Sequence, residues 1–337
     1  MAEQVVDASG LATYRRWRGA SDWDALAAIH AACMKADGLS ELMSASSFER
    51  YLAAHEPANP GGLVTLAEIA GEPVGFAYAH YDKDRPEGVR AIWTRCRVVP
   101  ERRRMGIGRE LLGRAQATGR EHAGQQSRTD LPLRFETRAD EGETGAIALL
   151  EGEGYAPIRW GYSMLRATLE DLPADELPEG LDARPVRRED AGRILEARSE
   201  ASADEWYYPD FTPEALAATI DDPIEGQLDV WQVAWDGDEV VGGVLGYIDP
   251  DENATFNRRR GYTESIFTRR RWRGRGVATA LIGRNLRLLR DRGMTEAALF
   301  VDADNPTGAL PLYERCGFVR DRTEITYGRL ADSGPGR

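Results

Sequence analysis

The chain has 337 residues, 42% of them hydrophobic and 29% charged, with a formal net charge of −13. A single core seldom grows past about 250 to 300 residues, so two domains are expected. The acidic balance disfavours a general nucleic-acid binder, no stretch reaches the ~18 to 20 apolar residues of a membrane span, and the start has neither a basic nor an apolar signal region; a cytoplasmic protein is expected.

In chain order, a strand at 13–18 leads to a helix opened by Ser21 and a second helix at 46–54. Strands at 63–69 and 74–81 flank the turn Ala70-Gly71-Glu72-Pro73, and a strand at 89–98 runs into the basic turn Arg103-Arg104-Met105-Gly106-Ile107-Gly108 and a helix. An acidic, proline-punctuated stretch, 169–181, reads as a linker. The same order then repeats: a strand at 182–187, helices at 190–199 and 213–220, and strands at 228–235 and 239–248 joined by Asp236-Gly237-Asp238. A strand ending near Thr268, the turn Arg273-Gly274-Arg275-Gly276-Val277-Ala278, and a helix with a stripe of Leu281, Ile282, Leu286, Leu288 and Leu289 follow. The expected layout is a domain at 1–168, the linker at 169–181, a second domain at 182–331, and a flexible tail at 332–337.

Glycines in a strand-to-helix turn let backbone N–H groups converge, and converging amides at a helix start bind phosphate oxygens. An arginine-rich turn alone is as often merely solvated. Here the turn is followed by a strand at 297–303, Asn305, a helix carrying Leu312-Tyr313-Glu314-Arg315, and Gly317-Phe318. This order and spacing resembles the GNAT superfamily of acyl-CoA N-acyltransferases. The resemblance implies two tandem α/β folds, each a mixed, mostly antiparallel sheet flanked by helices, and acetyl-CoA as cosubstrate. It implies that Arg273, Gly274, Arg275, Gly276, Val277 and Ala278 hold the pyrophosphate. Asn305 would touch the pantetheine arm, Ile266, Phe267 and Thr268 would face the acyl group, and Tyr313 would protonate the departing thiolate. Family members often carry a base-like Glu on the strand before the turn, where this chain has Tyr262. Glu264, two residues on and on the same face as Ile266 and Thr268 by strand alternation, is the candidate base; a strand Glu facing solvent, or paired with one of Arg258 to Arg260, is the alternative.

The first copy keeps the turn, a possible second coenzyme A site at residues 103 to 108. Setting Gly154-Tyr155 on Gly317-Phe318 puts Leu150 where Tyr313 stands and Gly142 where Asn305 stands, and Thr94 corresponds to Glu264. The first domain is therefore expected to be catalytically degenerate. This layout is also similar to that of the mycothiol synthases, which acetylate the cysteinyl amine of a glycoside precursor.

Glu205, Trp206, Tyr207, Tyr208 and Asp210 join the first two helices of the second copy. Aromatic faces with carboxylates favour a cationic amine, so they are candidate acceptor contacts, with an aromatic plug as the alternative. Cys33, Cys96 and Cys316 are too scattered for a disulfide framework or zinc site, and His30, His55, His80 and His122 have no metal-ligand spacing, so no metal is expected. A small-molecule amine acceptor is expected, with no membrane partner; monomer and homodimer stay open. Two other classes compete. A noncatalytic acyl-CoA sensor would not need Asn305 and Tyr313, and an aminoacyl-tRNA-dependent transferase on this fold would need a basic docking surface.

Overall fold

The computed structural model describes residues 5–6, 12–125, 130–203, 206, 213–305 and 308–331. They form two compact units, one of residues 1–159 with 324–337 and one of residues 160–323.

The first unit begins with β1 (Val5–Val6), β2 (Thr13–Arg16), α1 (Ser21–Asp37) and α2 (Ala45–His55). Gly38, at φ 70°, ends α1, and the Ser44 side chain caps α2 by accepting from Ser47 N–H at 3.1 Å. Next come β3 (Val64–Ile69), β4 (Glu72–Arg85), β5 (Val89–Val98), α3 (Ile107–Gly124), β6 (Leu133–Asp140) and α4 (Thr144–Gly152). Strands β1 to β5 pair antiparallel in sequence order, and β5 and β6 pair parallel. One core lies under α3, with Ile92, Leu111, Leu112 and Phe135, and another under α1 and α2, with Leu26, Phe48, Leu66 and Phe76.

β7 (Ala156–Arg166) carries the chain into the second unit, which contains β8 (Asp182–Ala183), α5 (Arg188–Ser202), α6 (Pro213–Asp221), β9 (Gln232–Asp236) and β10 (Glu239–Val244). Then follow α7 (Pro250–Thr255), β11 (Arg260–Tyr262), β12 (Phe267–Thr268), α8 (Val277–Asp291), β13 (Glu296–Asp302), α9 (Ala309–Arg315) and β14 (Val319–Leu330). β8, β9, β10 and β12 pair antiparallel; β11 pairs parallel with β13, which pairs antiparallel with β7. The α8 stripe is core, as its spacing implies: Leu281, Ile282, Leu286 and Leu289 are buried against Ala297, Leu299 and Val301. Each unit is thus a mixed, mostly antiparallel sheet with helices on its faces.

Two expectations are displaced. Residues Glu324–Leu330 of β14 pair with Arg134–Asp140 of β6, so the end of the chain completes the first unit, while residues 161–166 of β7 pair with β13 and complete the second. The boundaries at 168 and 182 missed this because hydrophobic periodicity marks a strand without naming its partner. The expected linker at 169–181 is packed rather than free. Leu169 is buried, Leu172, Leu177 and Leu181 pack on the same core, and Arg287 bonds Asp175 at 2.6 Å. The segment passes so close to α8 that a Cβ on Gly283 would lie 2.7 Å from Ala174 O, which fixes glycine at that helix position. The tail at 332–337 lies outside the described residues.

A chain ending at residue 168 leaves β6 an open edge lacking seven partners. It is expected to aggregate or lose cooperative unfolding, and to recover with a 319–331 peptide added; a soluble, cooperatively folding 1–168 would contradict the pairing.

All four histidines sit in the first unit, and the rings of His55 and His80 stack at 3.5 Å. Burial holds His30 down to about 4 and lowers His80 and His122 as well. Below pH ~6.5 the unfolded chain takes up protons that the folded unit refuses, so stability falls from there toward pH 4. Hydrogen exchange in β4 should show the opening free energy drop by about 1 kcal/mol or more between pH 7 and 5; a flat profile would contradict it.

Candidate functional site

The second unit holds a cleft of about 400 Å³. Its floor is the turn before α8. Gly274 and Gly276 both have left-handed backbones, φ 73° and 87°, and a Cβ added at either would meet nothing within 4 Å, so conformation and not space requires glycine there. The first intrahelical bond is Ala280 N–H to Gly276 O, at 3.1 Å. The amides of Val277, Ala278 and Thr279 therefore have no helical acceptor and lie at the positive end of the α8 dipole. Arg273 braces the turn, with Nε donating to Thr268 O at 3.0 Å and Nη2 to Ala201 O at 2.8 Å.

One wall is the strand Ile266, Phe267, Thr268; the facing wall is α9, with Gly308, Ala309, Leu312 and Tyr313. Tyr313 is 7% exposed. Gly308, at φ 67°, precedes α9, so Pro311 is the third helical residue and its missing N–H falls in the first turn, where no intrahelical bond is lost. The other end of α9 is held by Arg166 of β7, whose Nη1 donates to Cys316 O at 2.6 Å and Nη2 to Glu170 O at 2.6 Å. Arg273 and Arg315 line the cleft, and among the described residues no carboxylate does. Thr268 Oγ1 is buried there with no hydrogen-bond partner among the described residues.

The strand leading to this cleft is broken. β11 ends at Tyr262, Ser265 takes φ 49°, and β12 resumes at Phe267 on β10; the continuation of β10 stays bonded across the break, Tyr247 to Tyr262 and Leu245 N–H to Glu264 O, while the pairing with β13 ends. Alternation therefore does not carry from residue 264 to 266 and 268, which corrects the expected shared face. Glu264 sits in the gap. Where β11 parts from β13, its Oε1 accepts from Phe300 N–H at 2.8 Å, taking the place of a ladder carbonyl. Desolvation pushes its carboxyl up to about 8 despite that bond. Of the arginines that might have paired with Glu264, Arg258 pairs with Glu252 and Arg260 with Glu296, and Glu264 itself is half-buried. Glu264 is not among the residues lining the cleft. Tyr262 is engaged elsewhere, donating to Glu252 Oε1 at 2.5 Å and stacking on Tyr247 at 4.7 Å between centroids.

Of the expected cofactor contacts, Ile266, Phe267, Thr268, Arg273, Gly274, Gly276, Val277 and Ala278 line the cleft; Arg275 and Asn305 do not. Asn305 shapes the approach to α9, its N–H bonding Asp302 O and its carbonyl accepting from Gly308 N–H, both at 3.1 Å. Sequence reasoning missed Ala201, Ser202, Trp272 and Arg315, which reach the cleft from α5, the turn and α9. Of these, Arg315 shares a helix face with Leu312, three residues earlier, which also lines the cleft. Among the acceptor candidates Glu205, Tyr207, Tyr208 and Asp210 lie outside the described residues, and Trp206 is partly buried.

In the first unit Leu150 occupies the Tyr313 position and is buried in the core, and Thr94 Oγ1 donates to Glu136 O at 3.1 Å where Glu264 plugs the other sheet. Among the described residues no group of three or more His, Cys, Asp or Glu could hold a metal ion, and no helix is long and apolar enough to cross a membrane.

The model of the acetyltransferase (GNAT) family matches residues 23–151 and 196–318. Mycothiol acetyltransferase of Thermobispora bispora is 30% identical over 319 residues, covering 91% of this chain and 96% of that protein, and that of Geodermatophilus obscurus is 31% identical over 318 residues, covering 90% and 93%. The crystal structure of a GCN5-related N-acetyltransferase from Sphaerobacter thermophilus superposes with a TM-score of 0.72 at 27% identity, over 97% of each chain. A tandem GNAT protein from the clavulanic acid biosynthesis pathway, 17% identical over 81% of this chain and 83% of its own, shares the fold with a TM-score of 0.58. With both halves matched and relatives aligned along nearly its whole length, the chain belongs to the GNAT acetyltransferase family.

Proposed function

We propose that the second unit transfers an acetyl group from acetyl-CoA to a primary amine of a small molecule. One observation carries the reading: a single cleft sets the open amides of Val277 to Thr279 and the Tyr313 phenol on adjoining walls. In this reading the helix-start amides receive the pyrophosphate, and Arg275, exposed on the turn, adds charge for the remaining phosphate. Ile266, Phe267 and Thr268 line the path of the thioester, and Thr268 Oγ1 gains the partner it lacks. Acetyl-CoA supplies the activated acyl group, so the chain's work is positioning and proton movement. An amine must be neutral to attack. The Glu264 carboxyl, at about 8, is matched to taking a proton from an ammonium near neutral pH, directly or through water. A phenol with an ordinary pKa of about 10 keeps its proton until contact with the leaving thiolate, which fits Tyr313 as the donor. The first unit, with Leu150 and Thr94 at the two catalytic positions, supports the fold without turnover.

The relatives named mycothiol acetyltransferase favour a narrower acceptor, the amine of a cysteinyl glycoside. Such an acceptor carries its own thiol, so release of coenzyme A thiol is a blind readout. The decisive assay is mass detection of the N-acetyl product across a panel containing that glycoside, simple amino sugars and polyamines. Product from the glycoside alone supports the narrow reading, and product from none of the panel counts against acyl transfer to small amines.

Tyr313→Phe removes only the hydroxyl. Acetyl-CoA binding should persist while kcat falls by about 10² to 10⁴; an unchanged kcat would remove Tyr313 from the mechanism. For Glu264 the deprotonated form is the active one, so kcat should rise as pH increases through about 8, and Glu264→Gln should flatten that rise. If the profile survives the substitution, the amine loses its proton to solvent and Glu264 acts only as the plug between β11 and β13.

A further inference from the structure

Arg166 is a buried cation without a carboxylate. It is 8% exposed, no acidic side chain among the described residues pairs with it, and its Nε–H has no acceptor there. Its hydrogen-bond acceptors are all carbonyls: Nη1 donates to Cys316 O at 2.6 Å, and Nη2 to Glu170 O at 2.6 Å and Asp171 O at 3.0 Å. Burying a charge without a counter-charge is costly, and an apolar side chain would fill the same volume without that cost. What the guanidinium supplies is therefore its bonds. They join three segments: β7, where Arg166 pairs with Ala297 in the sheet, the turn at Asp171, which takes φ 47°, and the end of α9.

That end of α9 is where a constraint on Tyr313 has to act. Tyr313 O accepts from Phe318 N–H at 3.0 Å and Glu314 O from Gly317 N–H at 2.9 Å, a helix closure made by a left-handed glycine, Gly317 at φ 83°. Cys316 O lies outside this closure and is taken by Arg166. The fit is close, since a Cβ on Gly317 would lie 1.7 Å from Arg166 Nη1. One turn earlier Tyr313 lines the cleft, which Arg166 does not. A helix of seven residues is too short to hold itself in water, so the direction of the phenol follows what holds the helix ends.

The first unit supplies an internal comparison. Its corresponding cleft, of about 370 Å³, has Arg97 at the Phe267 position, bridged to Glu143 at 2.6 Å, and Leu150 where the other unit has the phenol. The matched clamp is looser there. Arg329 of β14 is half-buried and donates to Glu153 O at 3.0 Å, and a Cβ on Gly154 would lie 4.0 Å from its Nε. Both units dock their last helix, but the tight and buried clamp belongs to the helix that carries a phenol.

We propose that Arg166 is a positioning residue for acetyl transfer, holding the C-terminal end of α9 on β7 so that the Tyr313 phenol meets the departing thiolate. The inference rests on Tyr313 as the proton donor. In that step the phenol O–H bond breaks as the thiol S–H bond forms, and Arg166 neither gains nor loses a proton.

The test is a double-mutant cycle on kcat, read by mass of the N-acetyl product from the panel amine that is acetylated, with Arg166→Met, Tyr313→Phe and the pair together. Arg166→Met alone should lower kcat by about 10- to 100-fold, the cost of a small misplacement of a reacting group. Acetyl-CoA affinity, by calorimetry, should stay within about threefold, because Arg273 braces the turn before α8 independently. With the hydroxyl already gone, the same substitution should cost less than about threefold. An arginine that only held the fold together would lower kcat by the same factor in both backgrounds. Equal factors overturn the proposal, as does an unchanged kcat in Arg166→Met or a defect confined to acetyl-CoA affinity. If Arg166→Met does not fold, Arg166→Lys, which keeps the charge but not the two-handed fork, runs the same cycle. Product from no panel amine, or a silent Tyr313→Phe, removes the donor role and this inference with it; a deep Tyr313→Phe loss beside a silent Arg166 variant removes this inference alone.

Discussion

Each unit depends on a backbone ladder made with a strand from the other half of the sequence. Seven register pairs join Glu324–Leu330 to β6, and six join residues 161–166 to β13. The exchanged strands also deliver matched clamps. Arg166 of β7 donates to the carbonyl of Cys316 at the end of α9, and Arg329 of β14 donates to the carbonyl of Glu153 at the end of α4. A guanidinium on the terminal carbonyl of a short helix satisfies an orphan acceptor and meets the negative end of its dipole. Since α9 has only seven residues, too few to hold itself in water, the placement of Tyr313 rests on an arginine that precedes it by about half the chain.

In both units the cleft opens where two parallel strands part. β5 leaves β6 after Trp93, and the segment after β11 leaves β13 after Thr263 while staying bonded to the continuation of β10. In the second unit Ser265 adopts a left-handed backbone at the parting, a strain of roughly 1–2 kcal/mol for a residue with a Cβ. The amide of Phe300, which would otherwise lose its ladder acceptor, is satisfied by the Glu264 carboxylate. Structural plug and candidate base are thus the same group, and the desolvation that comes with plugging is what raises its pKa toward a useful value. In the first unit Thr94 fills the equivalent gap as a neutral donor, so the opening survives without a titratable group.

Local features were legible in the sequence, and long-range ones were not. The glycines of the second turn were readable because only a left-handed backbone explains them at that spacing, and Tyr313 because its place is set by the Gly317-Phe318 end of its own helix. The strand exchange was hidden, since β7 and β14 show ordinary strand composition and nothing in it names β13 or β6. The segment 169–181 looked like a linker because acids and prolines dominate it; its four leucines, Leu169, Leu172, Leu177 and Leu181, were the overlooked sign of packing. Glu264 was found by position, but its direction was misread because alternation fails at a break that no residue type announces. Asn305 was matched by motif order, and its backbone bonds give it a turn-shaping role beside the one implied by resemblance.

The two clefts also show how one fold tolerates opposite inner walls. Phe267 in one and the Arg97–Glu143 pair in the other occupy corresponding positions. A buried ion pair and an apolar contact of similar volume often differ little in net stability, because Coulomb attraction roughly offsets desolvation, whereas either charge alone would be strongly destabilising. The Glu143 carboxylate is further satisfied by Asp140 N–H, which removes the main residual cost of burying it. The same arrangement of sheet and helices thus accommodates either wall. The first unit keeps its turn, its helix and its core while the position that corresponds to Tyr313 passes to a leucine.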